Sequence, residues 1–257
     1  MSYLTPNATY KYKTKSGDTI TVFQKIIPDN AVANKYVASW CVKGAKMKPC
    51  AKIAGTGTPK GICVHNSNDT TSKITNDIAE LYTLATYPNC NMGGVVVHYY
   101  VYKTSIWQNL KLTEQGWHAS DGSGRYVMTH DGKSAIGGNL DTIAIEVIGS
   151  DSVTNATAAK LCAYLCNRFG FNPNKDIYTH NYFMNKKGDV VVPGAKKNCP
   201  YYLLPKWKRF LADVVKYNTV KVKTRLVTAK KTVPVADAAA LAAKLQGEGY
   251  TVTVTSK

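Results

Sequence analysis

Residues 141–149 read DTIAIEVIG. From Ile143 to Ile148 the side chains are apolar except for one carboxylate, Glu146, which interrupts them. A short apolar run with β-branched residues, closed by glycine, is the pattern of a buried strand. An amphipathic helical stretch follows, roughly 153–169, and then another short strand, NKDIYTH (174–180). Upstream, GICVHNSN (61–68) reads as a buried strand ending in polar residues, and KITNDIAELYTLATY (73–87) has helical spacing with Asp77 and Glu80 early in it. GGVVVHYYVYKT (93–104) reads as a strand that SIWQNL continues as a hairpin, and LLPKWKRFLADVVKY (203–217) closes with a helix. Strands alternating with helices predict an α/β fold, a central mixed β-sheet flanked by helices.

Both ends of the chain differ from this centre. Residues 1–50 are polar and read as an N-terminal extension packing on the central domain, with YKYKTKSGDTITVFQKI alternating about Ser16-Gly17-Asp18 as a hairpin. The central domain is assigned to 51–217. From 218 to 257 the composition shifts: VKVKTRLVTAKK is strand-like, PVADAAALAAKLQGEGY is an Ala-rich helix, and TVTVTS is a second strand. One helix on two strands makes a small basic βαβ unit that buries little surface by itself.

The chain has 257 residues, of which 44% are hydrophobic, enough for one sizeable core and a small appendage. No apolar run reaches membrane-spanning length, so membrane insertion is not expected. The N-terminal MSYLTPNATYKYKTKSGD has no apolar stretch of signal-peptide type, which predicts synthesis in a cytoplasm. Seven cysteines, an odd number at irregular spacings without C-x-x-C, do not read as a disulfide framework. Cys162 and Cys166 fall in an apolar helical pattern and are expected in the core. The net charge of +17 favours a polyanion: nucleic acid, an anionic membrane or anionic wall polymers. Charge alone does not choose among these, and the sequence carries no nucleic-acid-binding motif.

In residues 179–202, THNYFMNKKGDVVVPGAKKNCPYY, His180 opens the stretch and Cys199 nearly closes it. On that pair alone, a metal site and a loop histidine with a buried thiol both stand. His65 ends one strand, Glu146 lies within a second, His180 ends a third, and Lys197 precedes Cys199 by two. Residues at strand ends often converge at one edge of a sheet. Two histidines and a thiolate suffice for a catalytic zinc with one open position. A carboxylate beside it serves as general base, and a lysine stabilises a developing oxyanion. Each residue keeps a plain alternative: His65 as a core histidine, Glu146 paired to a lysine, Lys197 as a solvated charge.

These residues resemble a known family, the zinc-dependent N-acetylmuramoyl-L-alanine amidases of phage endolysins and bacterial autolysins, related to peptidoglycan recognition proteins. ICVHNSN is similar to the strand with the first zinc histidine, VVVHYYVYKTSIWQ and GWHASDG to the central hairpin and the W-H-A motif after it, TIAIEV to the strand with the catalytic glutamate, and YTH and KNCP to the second histidine and the K-x-C-P ending. The motifs keep the family's order over roughly residues 50–215. The resemblance implies Zn2+ held by His65, His180 and Cys199, catalysis by Glu146 with Lys197 assisting, and cleavage of the amide between the lactyl group of N-acetylmuramic acid and L-alanine of the stem peptide. It makes His118, Trp117, Asn66 and His98 the substrate-side candidates, with packing beside Trp117 as the alternative for His118, and core or groove open for His98. Peptidoglycan and anionic wall polymers are the implied partners, not nucleic acid. An endolysin made in the host cytoplasm and acting on the cell wall is the implied setting, with a non-catalytic peptidoglycan-binding protein as the other reading.

The sequence departs from the family in places. NKKGDVVVPG looks inserted between His180 and Cys199, and residues 119–140 look extended, with His130 read as a solvated loop residue. A tyrosine used by the recognition-protein branch appears here as His98, so the chain resembles the branch that uses glutamate. The C-terminal unit resembles half of a SPOR-type wall-binding domain, and two chains could pair their halves into a homodimer. The alternative is a basic tail packing on the amidase.

Overall fold

The computed structural model describes residues 4–27, 52–67, 77–89, 95–119, 127–183, 198–220 and 235–247. The chain divides into two compact units, Met1–Val220 and Lys221–Lys257. The second contributes one described helix, α6 (Val235–Gly247), where the Ala-rich pattern predicts it. The two strands expected around it lie outside the described residues.

The first unit is built on a seven-stranded sheet in the order β1-β2-β5-β4-β8-β3-β9. Its strands are β1 (Ala8–Lys13), β2 (Thr19–Gln24), β3 (Gly61–Ser67), β4 (Tyr99–Tyr102), β5 (Ser105–Gln108), β8 (Thr142–Ile148) and β9 (Ile177–Thr179). β6 (Val127–Met128) and β7 (Ala135–Ile136) form a separate small hairpin. The helices are α1 (Ile78–Asn89), α2 (Gly138–Asp141), α3 (Ser152–Phe169), α4 (His180–Phe183) and α5 (Trp207–Tyr217). The apolar run at 141–149 becomes β8, paired in parallel with both β3 and β4. β3 also pairs in parallel with β9, whereas β1–β2 and β4–β5 are antiparallel. The expected mixed α/β sheet is therefore the observed one.

The hairpin at Ser16-Gly17-Asp18 forms, with Gly17 at φ 87°, a conformation that favours glycine. It is part of the sheet, because β2 pairs in parallel with β5 through Phe23–Trp107 and Gln24–Gln108. The strand expected over 93–104 shortens to Tyr99–Tyr102, because Val96 bridges Trp117 instead. Asp77 precedes α1 and caps it: its Oδ1 accepts from the Glu80 N–H at 3.1 Å. The same carboxylate accepts from Ser105 Oγ and Trp107 Nε1, which ties α1 to β5.

Alternation along the strands separates two faces. On one face, Ile62, Val64, Ile143, Ile145 and Val147 join Tyr99 and Val101 in a cluster. α3 and α5 cover it with Leu161, Cys162, Leu165, Phe210 and Val214. α3 begins where the Asp151 side chain accepts from the N–H groups of Val153 and Thr154, and it ends at Gly170 (φ 74°), whose N–H bonds the Cys166 carbonyl. On the other face lie Cys63, His65, Ala144, Glu146, Ile148 and Tyr100. The segment after Trp117 approaches this face closely. A Cβ on Gly138 would meet Ala119 Cβ at 2.5 Å and Phe183 Cγ at 2.8 Å, so only glycine fits there.

Candidate metal centre

Three strands deliver the site. In the parallel register His65 of β3 stands opposite Glu146 of β8, and Glu146 stands opposite Tyr100 of β4. Registered residues in a sheet project from the same face, so the imidazole and the carboxylate share it. β9 ends at Thr179, and His180 opens α4 instead of ending the strand. Cys199 is held beside it, because its carbonyl accepts the Asn181 N–H at 2.8 Å. Three residues on, the Tyr202 N–H donates to Asn66 Oδ1 at 3.0 Å.

His65, His180 and Cys199 converge. The two Nδ1 atoms lie 3.1 Å apart, and Cys199 Sγ lies 4.0 Å from His65 Nδ1. One ligand atom from each of the three lies within 4.8 Å of the others. The residues are 3%, 3% and 6% exposed, so the donors are withdrawn from solvent. Two imidazole nitrogens and a thiol at these separations fit a tetrahedral zinc with one open position. Glu146 is half-buried on the same face. Lys197 lies outside the described residues.

The substrate-side candidates fall in different places. Trp117 is half-buried and exchanges both backbone hydrogen bonds with Val96. His118 is buried, and its Nδ1 sits 3.0 Å from His65 Nε2. Its backbone N–H and that of Ala119 both donate to Asn139 Oδ1 at 2.7 Å. Burial, then His98 and His180 nearby, pushes the His118 imidazolium well below its ordinary range, so its ring is neutral. His98 is fully buried. Its Nδ1 accepts from the Ala144 N–H at 3.0 Å, and its Nε2 donates to the Glu114 carbonyl at 2.9 Å. Both ring nitrogens are thus engaged within the protein, and burial lowers the pKa to about 4. Asn66 alternates to the opposite face from His65. Its Nδ2 donates to the carbonyls of Val147 and Gly149, and its Oδ1 receives Tyr202. Asn66 therefore fastens the Cys199 loop to the ends of β3 and β8.

Two features were not read from the sequence. Cys63 Sγ lies 3.3 Å from His65 Nε2. The available signal was period-2 spacing, which places Cys63 and His65 on one face. His130 is exposed, yet its ring stacks on Tyr178 with centroids 4.5 Å apart and lies against Tyr182. Nothing in its local sequence announces these partners.

Known proteins share both the sequence pattern and the fold. A profile of the family described as N-acetylmuramoyl-L-alanine amidase (Amidase_2) matches residues 55–202. The N-acetylmuramoyl-L-alanine amidase XlyA of Bacillus subtilis (strain 168) is 28% identical over 160 residues, which are 61% of this chain and 44% of the relative. The chain thus spans less than half the length of that curated relative. The solved catalytic domain of XlyA superposes with a TM-score of 0.51 at 25% identity, covering 75% of this chain and 98% of that one. A mutant endolysin from Bacillus subtilis gives 0.51 at 26% identity, over 76% and 99% of the two chains. The PlyG catalytic domain shares the fold, with a TM-score of 0.51 at 19% identity over 82% and 99%. The matched span holds His65, Glu146, His180 and Cys199 and exceeds half of the chain, so the chain belongs to the N-acetylmuramoyl-L-alanine amidase family (Amidase_2).

Proposed function

We propose that this chain is a peptidoglycan hydrolase that cleaves the amide between the lactyl group of N-acetylmuramic acid and L-alanine of the stem peptide. The convergence of His65 Nδ1, His180 Nδ1 and Cys199 Sγ beside Glu146 carries this reading. These three residues would hold a zinc ion. When bound, zinc supplies Lewis acidity and a water whose pKa falls to about 7. Glu146, half-buried on the same face, takes up the proton released on attack and passes it to the leaving amine. Lys197, placed by sequence two residues before Cys199, stabilises the developing oxyanion.

The net charge of +17 supports attraction to anionic wall polymers. The C-terminal unit carries seven Lys and Arg against two acidic residues and serves in this reading as a wall-contact element. If so, a chain lacking 218–257 sediments less with purified walls and yields the same fragments; unchanged sedimentation removes that role.

The deciding experiment digests purified peptidoglycan with and without a zinc chelator and identifies the fragments by mass spectrometry. Stem peptides with a free L-alanine amine, beside intact glycan chains and lost on chelation, are the expected products. Cut peptides or cut glycans would move the scissile bond. No products from zinc-loaded protein on several wall types would leave a binding protein.

A further inference from the structure

The donors of the proposed zinc site meet one edge of the His65 ring, at Nδ1. The opposite edge faces a second set. His65 Nε2 lies 3.0 Å from His118 Nδ1 and 3.3 Å from Cys63 Sγ. One ligand atom from each of Cys63, His65 and His118 again lies within 4.8 Å of the others. All three residues are buried, at 0%, 3% and 4% exposure.

Rigid elements hold this inner set. Cys63 precedes His65 by two on β3, the centre of three parallel strands. His118 is fixed through its backbone, clamped with Ala119 by the Asn139 amide oxygen. Around Cys63 the packing is apolar, with Ala119, Val127, Ile136, Tyr178 and Phe183 in one cluster. A thiolate and two imidazoles make a soft N2S set suited to thiophilic divalent ions. In an apolar shell a buried cation needs a charged partner, and the Cys63 thiolate supplies one negative charge.

The two sets share one imidazole. Neutral imidazole has one donor nitrogen and one acceptor nitrogen, so its lone pair points to one edge at a time. We propose that Cys63, His65 through Nε2 and His118 through Nδ1 form a second metal site for a thiophilic divalent cation, mutually exclusive with the set at Nδ1. Filling it shifts the His65 proton from Nε2 to Nδ1, and the Cys63 thiol proton leaves to solvent. An ion held there withdraws His65 from His180 and Cys199. The site depends on the two donor sets alone and not on the hydrolytic reading.

The test titrates metal-free full-length protein with Cd2+, reading bound metal per chain and the thiolate-to-cadmium charge-transfer absorbance. Four forms are compared: wild type, Cys199→Ser, Cys63→Ser and the double variant. Wild type is expected to bind one ion per chain. Cys199→Ser is expected to keep one ion and the thiolate band, and adding Cys63→Ser should abolish the band and weaken binding at least about tenfold. A Cys199→Ser protein without the band overturns the inner site while leaving the outer set intact. A band that survives in the double variant assigns it to another cysteine and also overturns the proposal, and two ions on wild type overturn the exclusivity. Wild type that binds no cadmium removes both sets. Should Cys199→Ser not fold, His180→Ala with and without Cys63→Ser makes the same comparison, and a Cys63→Ser effect below tenfold there overturns the site.

Discussion

The two faces of the central sheet are made from the same strands and do different work. On β3, Ile62 and Val64 point into the core beneath α3 and α5, while Cys63 and His65 face the histidine and cysteine cluster of the candidate site. On β8, Ile143, Ile145 and Val147 join that core, while Ala144 and Glu146 face the other way. The second face packs too, with Ala144, Ile148 and Tyr100 in one cluster and Cys63 in another, but His65 and Glu146 stand on that face only, one residue step from the larger core. A substitution on one face should leave the property of the other nearly untouched.

The largest effect expected tests this from the chemical side. Glu146→Gln keeps the shape and removes the proton acceptor, so hydrolysis should fall by about 10²–10⁴-fold. Its thermal midpoint should stay close to wild type, since Glu146 is not a core residue. A fall in the midpoint as large as a core truncation causes would break the separation of the faces.

The core-side counterpart is Leu161→Ala. Leu161 is fully buried on α3, and truncation should cost about 2–5 kcal/mol in denaturant unfolding. Turnover per folded molecule should match wild type; a lost turnover at full folding would mean that the core face sets the site geometry.

His98 sharpens the comparison, because it lies at the chemical face yet is bonded as a structural residue. Its folded pKa of about 4 is below the ordinary 6.5. The unfolded chain therefore binds a proton in that window and the folded one does not. Stability should fall as pH drops from about 6.5 to about 4, by about 3 kcal/mol from this group, and level off below. Urea midpoints across that range should decline less in His98→Gln, and an equal decline would assign the effect to other groups.

The smallest effect concerns neither face. Gly170 ends α3 at φ 74° in open space, so Gly170→Ala should cost about 1 kcal/mol through backbone strain alone, with activity unchanged. A thermal midpoint equal to wild type would show that the helix end can relax.

Much of the sheet could be read in advance because its strands are short apolar runs closed by polar or glycine residues. IAIEV, ICVHN and IYT lie in the strands that such runs predict, and α3 lies within a residue of its predicted start. Asp151 and Gly170 are local signals of where that helix begins and ends. His65 and His180 could be picked out because they stand at or just past the ends of apolar strands, and Cys199 because it sits in the K-x-C-P ending; the structure brings the three together. Cys63 was missed although its two-residue spacing puts it on the face of His65, since a thiol inside an apolar strand looks like any small core residue. The bonding of His98 was equally hidden: its partners, Glu114 and Ala144, belong to other elements. The true length of β4 depended on Val96 choosing Trp117, a contact 21 residues away that no local pattern encodes.

The register of β3 has a consequence for how the molecule forms. The β1–β2 and β4–β5 hairpins close turns of a few residues, so they can form early at small entropic cost. β3 has no such neighbour. His65 waits for Glu146, and Val64 waits for Thr179, so the middle of the sheet is built from distant contacts. Parallel pairings of this separation are intrinsically slow. On a ribosome, the hairpins can fold while β3 remains unmatched. The donor cluster is complete only after residue 199 has emerged, more than four-fifths of the way along the first unit.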